Sequence, residues 1–342
     1  MAASNVSELY LACRNGDIES VERQLRNTPL ESLSRLEPNG STCLHAASYY
    51  GHKEIVRRLL ERGAYRRVVN RYGCTPLDEA KTKEIAELFP RSTEAAKERF
   101  SDNPIQQPEW QFENDHAEAF ARATHWGCIK DRGIKKTVKK IRAANVLVNN
   151  GEPSYQIVQN YFDEAIKTGN PIFLLRAYTT ESQFYKRLNR EMATGNRRQV
   201  YEKLCGKWTG HYTGIIVRNP VFEPYRFSGQ TYRGMTITPS DYAQYKIGIA
   251  LTNKSFQSTS KSWKIAKGFA YPSNPRPGTF PVILIFTITD RRSALSIDQL
   301  SDFQNEEEVL IVPGTLFIVT NINQDEIPYE IEVRQLEWTD EF

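Results

Sequence analysis

The run Glu306-Glu307-Glu308-Val309-Leu310-Ile311-Val312-Pro313-Gly314 places three carboxylates directly ahead of four aliphatic residues and closes on Pro-Gly. An apolar run of that length, rich in β-branched residues and stopped by turn residues, reads as a buried strand over Val309 to Val312. Around it the period is two: Thr231 to Met235, Phe280 to Thr289, Leu316 to Asn321 and Tyr329 to Leu336 also read as strands. Upstream the spacing turns helical. Ile134, Val138, Ile141, Ala144 and Val148 fall at three- and four-residue intervals, and Thr180 precedes a helix with Phe184, Tyr185 and Leu188 on its inner side. Helices first and strands afterwards predict an α+β domain with a mainly antiparallel β core.

The N-terminal quarter is repetitive. Asn39-Gly40-Ser41-Thr42-Cys43-Leu44-His45-Ala46-Ala47 recurs, degraded, as Tyr72-Gly73-Cys74-Thr75-Pro76-Leu77-Asp78-Glu79-Ala80, and Gly40 and Gly73 stand 33 residues apart. Between them Ile55, Val56, Leu59 and Leu60 form a helical apolar stripe that Gly63 closes. Period and motif resemble ankyrin repeats, two to three of them over residues 5–90, in an all-α stack. Cys43 stands where such repeats usually carry proline, and Tyr65-Arg66-Arg67 replaces the usual loop sequence. His45 is expected to tie its own turn by hydrogen bonds and not to bind metal. Pro90, Pro104 and Pro108 punctuate a polar stretch, so 91–108 reads as a linker. The second domain is predicted over 109–340, helical to about 220 and strand-rich from about 221, with a core separate from that of the repeats.

Composition narrows the partners. Apolar residues at 39% and charged residues at 25% are those of a globular protein, and no apolar run nears the length that spans a bilayer. The first residues lack a basic and apolar leader and the last are polar, so a cytoplasmic protein without membrane contact is expected. Five cysteines, at 13, 43, 74, 128 and 205, form no Cys-x-x-Cys pair, which predicts reduced thiols and no metal. A net charge of +4 is too mild to call for nucleic acid. The basic residues between Lys130 and Arg142 read as the solvated face of an amphipathic helix.

Three short motifs follow one another in the strand-rich part. They are Thr231-Tyr232-Arg233-Gly234, then Phe256-Gln257-Ser258-Thr259-Ser260, then Glu306-Glu307-Glu308. Singly they read as an ion-pairing arginine, a helix N-cap and a solvated acidic edge. Together, in this order, they resemble the R-S-E signature of arginine-specific mono-ADP-ribosyltransferases, the family of the vertebrate ecto-enzymes and the clostridial binary toxins. Leu175-Arg176-Ala177-Tyr178-Thr179 and Phe184 to Asn189 are similar to that family's N-terminal helices, and Glu308 to Gly314 to its glutamate strand. Coverage is about 155–337. His211-Tyr212 is not the histidine and tyrosine of the poly(ADP-ribose) polymerase triad, because those come from separate strands.

The resemblance implies NAD as co-substrate, no metal, and a protein target with an accessible arginine. It implies catalytic roles for Arg233, Ser258, Glu306 and Glu308. The chemistry agrees. Loss of nicotinamide leaves positive charge on the ribose, and a carboxylate at ~4 Å in an effective dielectric near ~20 stabilises that charge by ~4 kcal/mol, about three decades of rate. Glu308 is expected there, oriented by Ser258. Arg233 is expected on the diphosphate, because its planar fork donates in pairs and stays charged. Gly234 is expected to let the cofactor approach the backbone, and Phe269 to offer a ring to nicotinamide. Strand alternation is expected to put Glu306 and Glu308 on one face and Glu307 on the other, and the resemblance implies that Glu306 meets the acceptor guanidinium. The resemblance also implies that Phe303, before them, contacts the target. Two other readings stay open: an NAD glycohydrolase that uses water as acceptor, and a non-catalytic scaffold whose repeats bind a partner protein.

Overall fold

The computed structural model describes residues 6–66, 68–89, 110–112, 129–147, 153–180, 182–194, 206–272, 275, 277–301, 303 and 306–336; the predicted linker at 91–108 lies outside them. Among the described residues the N-terminal part is helical: α1 (Glu8–Asn15), α2 (Ile18–Leu25), α3 (Leu30–Leu33), α4 (Cys43–Tyr50), α5 (Lys53–Glu61) and α6 (Lys83–Ala86). Local chemistry sets their ends. Ser7, Asp17 and Thr42 each accept a backbone N–H in the first turn that follows, and Gly16 and Gly51 end α1 and α4 in the left-handed conformation. His45 completes a capping box with Thr42. Its Nδ1 accepts the Thr42 N–H at 3.2 Å, and its Nε2 lies 3.0 Å from the carbonyl of Cys74 in the next repeat. Burial, the largest influence, pulls the His45 pKa below its ordinary value. The histidine is therefore a neutral brace between repeats.

A second helical layer follows: α7 (Ile134–Ala143), α8 (Pro153–Thr168), α9 (Ile172–Thr179), α10 (Gln183–Ala193) and α11 (Trp208–Arg218). In α7, Thr137, Val138 and Ile141 are buried while Lys135, Lys136, Lys139 and Lys140 are exposed, so its basic side is a solvated face. His211 and Tyr212 sit on consecutive positions of α11. Tyr212 packs against Tyr178, Phe184 and Phe256 and donates to the Leu174 carbonyl at 3.1 Å.

The remainder of the described residues holds a nine-stranded sheet with two short α-helices and two 3-10 turns. Its strands are β1 (Trp110–Phe112), β2 (Gly229–Ile237), β3 (Ala250–Asn253), β4 (Gln257–Ser260), β5 (Phe280–Ile288), β6 (Ala294–Ser296), β7 (Glu308–Ile311), β8 (Leu316–Asn323) and β9 (Tyr329–Gln335), in the order β1-β3-β8-β9-β5-β2-β4-β7-β6. The helices are α12 (Pro239–Tyr242) and α13 (Trp263–Ala270). Among the described residues every strand pairing is antiparallel except β5 with β9. The α+β class is thus as the periodicity reads. The short strands β1, β3 and β6 escape sequence reading because three or four residues hold too little alternation.

Two large clusters, with a small third at Ala250 and Leu316, form the core of the described residues. One lies within the sheet domain, between strand faces that carry Val282, Leu284, Phe286, Val309, Phe317 and Val333. The other runs without a break from Leu9, Leu44 and Leu59 of the repeats, through Tyr161, Phe162, Phe184 and Tyr212, to Phe256 and Leu310 of the sheet. Two separable cores were expected. The repeats instead share apolar surface with the helical layer, because α5 abuts α8: Leu30 and Ile157 both reach the site of Gly63, and Arg62 of the repeats faces Glu164 of α8.

Candidate active site

The three sequence motifs meet along two strand pairings. In β2, Arg233 is 3% exposed, and its Nη1 donates to the Ser258 carbonyl in β4 at 2.7 Å. One residue earlier, Tyr232 pairs with Ser260, the single register point between β2 and β4. Thr231 reinforces the junction: its hydroxyl reaches the Thr259 hydroxyl at 2.6 Å and the Ser260 carbonyl at 2.9 Å. β4 in turn pairs with β7 as Ser258 with Leu310, Thr259 with Val309 and Ser260 with Glu308. The residue across from Glu308 is therefore Ser260, whereas Ser258 was expected to orient that carboxylate. Period two puts Ser258 and Ser260 on one face, so the Ser-x-Ser spacing held the signal. The register decides which serine faces the glutamate.

All four residues of β4 are buried, so Ser258-Thr259-Ser260 is strand and not cap. The capping falls to Ser262, whose side chain accepts the Ile265 N–H and opens α13.

The three glutamates sort as expected, but by a different backbone. β7 begins only at Glu308, and Glu307 adopts φ 47°, in the left-handed region. A non-glycine residue there costs about 1 kcal/mol. That turn leaves Glu306 at 3% exposure and Glu308 at 0%, with Glu307 exposed. Hydrogen bonds from the end of β4 and the residue after it help to fix it. The Lys261 N–H donates to the Glu307 carbonyl at 3.0 Å, and Ser260 Oγ donates to the Glu306 carbonyl at 2.8 Å. Ser260 Oγ also accepts the Ser262 N–H at 3.1 Å, which ties the strand end, the helix start and the acidic turn together. Beside them Lys261 Nζ meets Asp298 at 3.0 Å. Burial pushes the Asp298 pKa up, but bonds from Ser296 and Lys261 outweigh it and hold the carboxyl below its ordinary value.

Two expected roles change. Gly234 was assigned to close approach of a cofactor. A side-chain carbon there would lie 1.8 Å from the Ala266 carbonyl oxygen and 2.8 Å from the Ala270 nitrogen, so the space is filled by α13. Its missing side chain lets a helix backbone seat on β2. Phe303 was assigned to the incoming target. It is 3% exposed, and the Arg66 guanidinium of the repeats lies over its ring, 5.1 Å from the centroid. Phe269 sits half-buried on α13, one turn from the Ala266 that Gly234 receives.

Among the described residues no group of three or more His, Cys, Asp or Glu side chains could hold a metal ion, and no helix is long and apolar enough to cross a membrane. What the arrangement offers is a buried guanidinium on β2 and two buried carboxylates at the entry to β7, with β4 between the two strands. That set suits a substrate with an anionic part and a centre that becomes cationic.

Parts of the chain match known proteins. A family model described as NAD:arginine ADP-ribosyltransferase matches residues 164–340, and a model for ankyrin repeats, in three copies, matches 9–92. Diacylglycerol kinase zeta of Rattus norvegicus is 35% identical over 80 residues, which is 23% of this chain and 9% of that protein. The NAD-capped RNA hydrolase NUDT12 of Homo sapiens is 34% identical over 107 residues, 30% of this chain and 23% of its own length. The chain thus spans less than a quarter of these curated relatives. Among solved structures, the ADP-ribosyltransferase Vis with its M6 inhibitor is 18% identical, with 58% of this chain and 90% of that one covered and a TM-score of 0.39. The type III effector XopAI of Xanthomonas axonopodis pv. citri, as an N-terminal truncation, is 18% identical, covering 65% and 96%, with a TM-score of 0.42. The eucaryotic mono-ADP-ribosyltransferase ART2.2 is 16% identical, covering 67% and 96%, with a TM-score of 0.35.

Proposed function

The chain belongs to the NAD:arginine ADP-ribosyltransferase family, and we propose that it transfers ADP-ribose from NAD⁺ to an arginine side chain of a protein, releasing nicotinamide. The observation that carries this reading is the junction of β2, β4 and β7. Arg233 reaches the carbonyl of Ser258, and Glu308 stands across from Ser260.

In this reading Arg233 binds the diphosphate, with which a planar, permanently charged fork pairs well. Glu308 stabilises the ribose as nicotinamide leaves, because a pre-placed buried carboxylate costs no reorganisation when the positive charge develops. Ser260 holds the turn that carries Glu306, while Ser258 anchors Arg233 through its backbone. Phe269 offers a ring to the nicotinamide. Glu306 receives the acceptor guanidinium, orients it, and takes its proton as the new C–N bond forms. Ground-state removal is steeply uphill, since a guanidinium pKa lies above ~12 and a carboxyl near ~4.3. The family's description and the second buried carboxylate both support arginine as the acceptor. Ankyrin repeats are interaction surfaces, so a partner protein, or the target itself, is expected on them.

The test is incubation of the full chain with NAD⁺ labelled in the ADP-ribose, with agmatine as a small guanidine acceptor. Labelled ADP-ribosyl-agmatine supports the reading. Free ADP-ribose alone makes the protein a glycohydrolase, and turnover of neither kind makes it a scaffold.

A further inference from the structure

The repeats depart from their own pattern at Tyr65-Arg66, and both side chains turn toward the catalytic domain. The Arg176 guanidinium of α9 lies over the Tyr65 ring, 3.7 Å from its centroid, while the Tyr65 N–H is held by Ser34 Oγ at 2.9 Å. Arg66 spans further. Its Nη1 donates to the carbonyls of Leu88 and Phe89, at 2.7 and 2.8 Å, just past the last repeat helix. Its guanidinium then covers the ring of Phe303. The Phe303 carbonyl accepts the Glu306 N–H at 3.1 Å, and the Glu306 carbonyl accepts from Ser260 at 2.8 Å. A continuous set of contacts therefore runs from the end of the ankyrin module to the backbone of the acceptor carboxylate.

We propose that Arg66 is a positioning residue for ADP-ribosyl transfer: through Phe303, the ankyrin module fixes the turn that carries Glu306. Three physical points support this. A guanidinium over an aromatic face is attracted by the ring's quadrupole, more so where water is excluded, and Phe303 is buried. Arg66 is itself pre-set by two carbonyls, so little freedom is lost in holding the ring. Glu306 lies beside a left-handed residue, and such a turn persists only when its surroundings over-determine it. Ser260 and Lys261 hold it from one side; Arg66 and Phe303 hold it from the other. The proposal gives the repeats a task within the reaction, besides any partner they bind. It rests on the reading of Glu306 as the acceptor group.

The experiment uses the full chain and the variants Arg66→Ala, Phe303→Leu and the pair. Transfer to agmatine and release of free ADP-ribose are measured in the same reactions. Amide exchange over 300–308 is measured separately, without NAD⁺. Either single change should speed exchange in that segment and lower the ratio of transfer to hydrolysis about tenfold, the scale of a sub-ångström misplacement of a reacting group. The double variant should be no worse than the worse single, because both remove one contact. If Arg66→Ala does not fold, Arg66→Gln keeps an N–H donor for the Leu88 and Phe89 carbonyls and removes the charge over the ring. An unchanged ratio with a folded variant overturns the proposal. If the unmodified chain transfers nothing to agmatine, the functional reading is what fails. The exchange comparison then still decides whether Arg66 holds the turn, and unchanged exchange removes it.

Discussion

Ser260 stands directly across the β4–β7 ladder from Glu308, and its hydroxyl is hydrogen-bonded to the carbonyl of Glu306. One serine thus touches the backbone of both carboxylate positions, as ladder partner of one and donor to the other. The same oxygen accepts the Ser262 N–H at the mouth of α13. Buried strand, helix start and acidic turn are joined at this atom.

Replacing Ser260 with alanine leaves the Glu306 carbonyl and the Ser262 N–H without that partner. Each is expected to cost about 1 kcal/mol or more in a buried setting. Transfer to agmatine should fall more than in Ser258→Ala, whose contact with Arg233 is made by the backbone and survives the change. Initial rates of the two variants at saturating NAD⁺ provide the comparison. Equal losses, or a larger loss at Ser258, would mean that the Ser258 hydroxyl carries the chemistry.

The glutamate variants are expected to separate cleavage from acceptor use. Glu308→Gln should abolish transfer and hydrolysis alike, because it removes the negative charge opposite the developing cation. Glu306→Gln keeps the shape, and should lose transfer by about two decades while slow hydrolysis continues, the usual scale for loss of a general base. Exposed Glu307, changed to glutamine, should alter either rate by less than about twofold, as for a surface substitution. Chromatographic separation of ADP-ribosyl-agmatine from ADP-ribose reads all three. An essential Glu307 beside a dispensable Glu306 would refute the assignment of this turn.

Gly234→Ala should destabilise the protein without any ligand present. A methyl there meets the Ala266 carbonyl oxygen at 1.8 Å, and a helix backbone must move to admit it. Overpacking of this kind costs about 1–3 kcal/mol, so the melting temperature should drop by roughly 3 °C or more. A calorimetric scan of the apoprotein decides. An unshifted transition would show that α13 is not seated on β2, and would return Gly234 to the cofactor.

His45 predicts how the stability depends on pH. Burial holds its folded pKa below the unfolded value near 6.5. The unfolded chain therefore takes up a proton that the folded chain resists. The contribution of His45 is fully present above about pH 6.5 and is lost as the pH falls toward the folded value. Protonation also places a hydrogen on Nδ1, which now accepts the Thr42 N–H. His45→Asn should lower stability by about 1–2 kcal/mol at pH 7.5 and flatten the decline below pH 6.5. Urea unfolding at several pH values gives both quantities. A parallel decline in the two proteins would assign the pH sensitivity elsewhere.

The sequence by itself determined what contiguous residues can encode. The 33-residue recurrence of Gly40 and Gly73, the stripe of Ile55, Val56, Leu59 and Leu60, and the period-two runs in β2, β5, β8 and β9 are local patterns. So is the order of the arginine, serine and glutamate motifs, which made the family legible before any coordinates. Only the tertiary structure decided what depends on residues far apart in the chain. Ladder register put Ser260, and not Ser258, across from Glu308. Helix packing turned Gly234 into a seat for Ala266, and a left-handed Glu307 replaced the simple strand alternation. Arg66 closed over Phe303 across more than two hundred residues of intervening chain. Periodicity tells which side of an element is buried, but not which distant surface buries it. That choice is made by packing among all the elements at once, and in this protein it brought the repeats to the turn that carries Glu306.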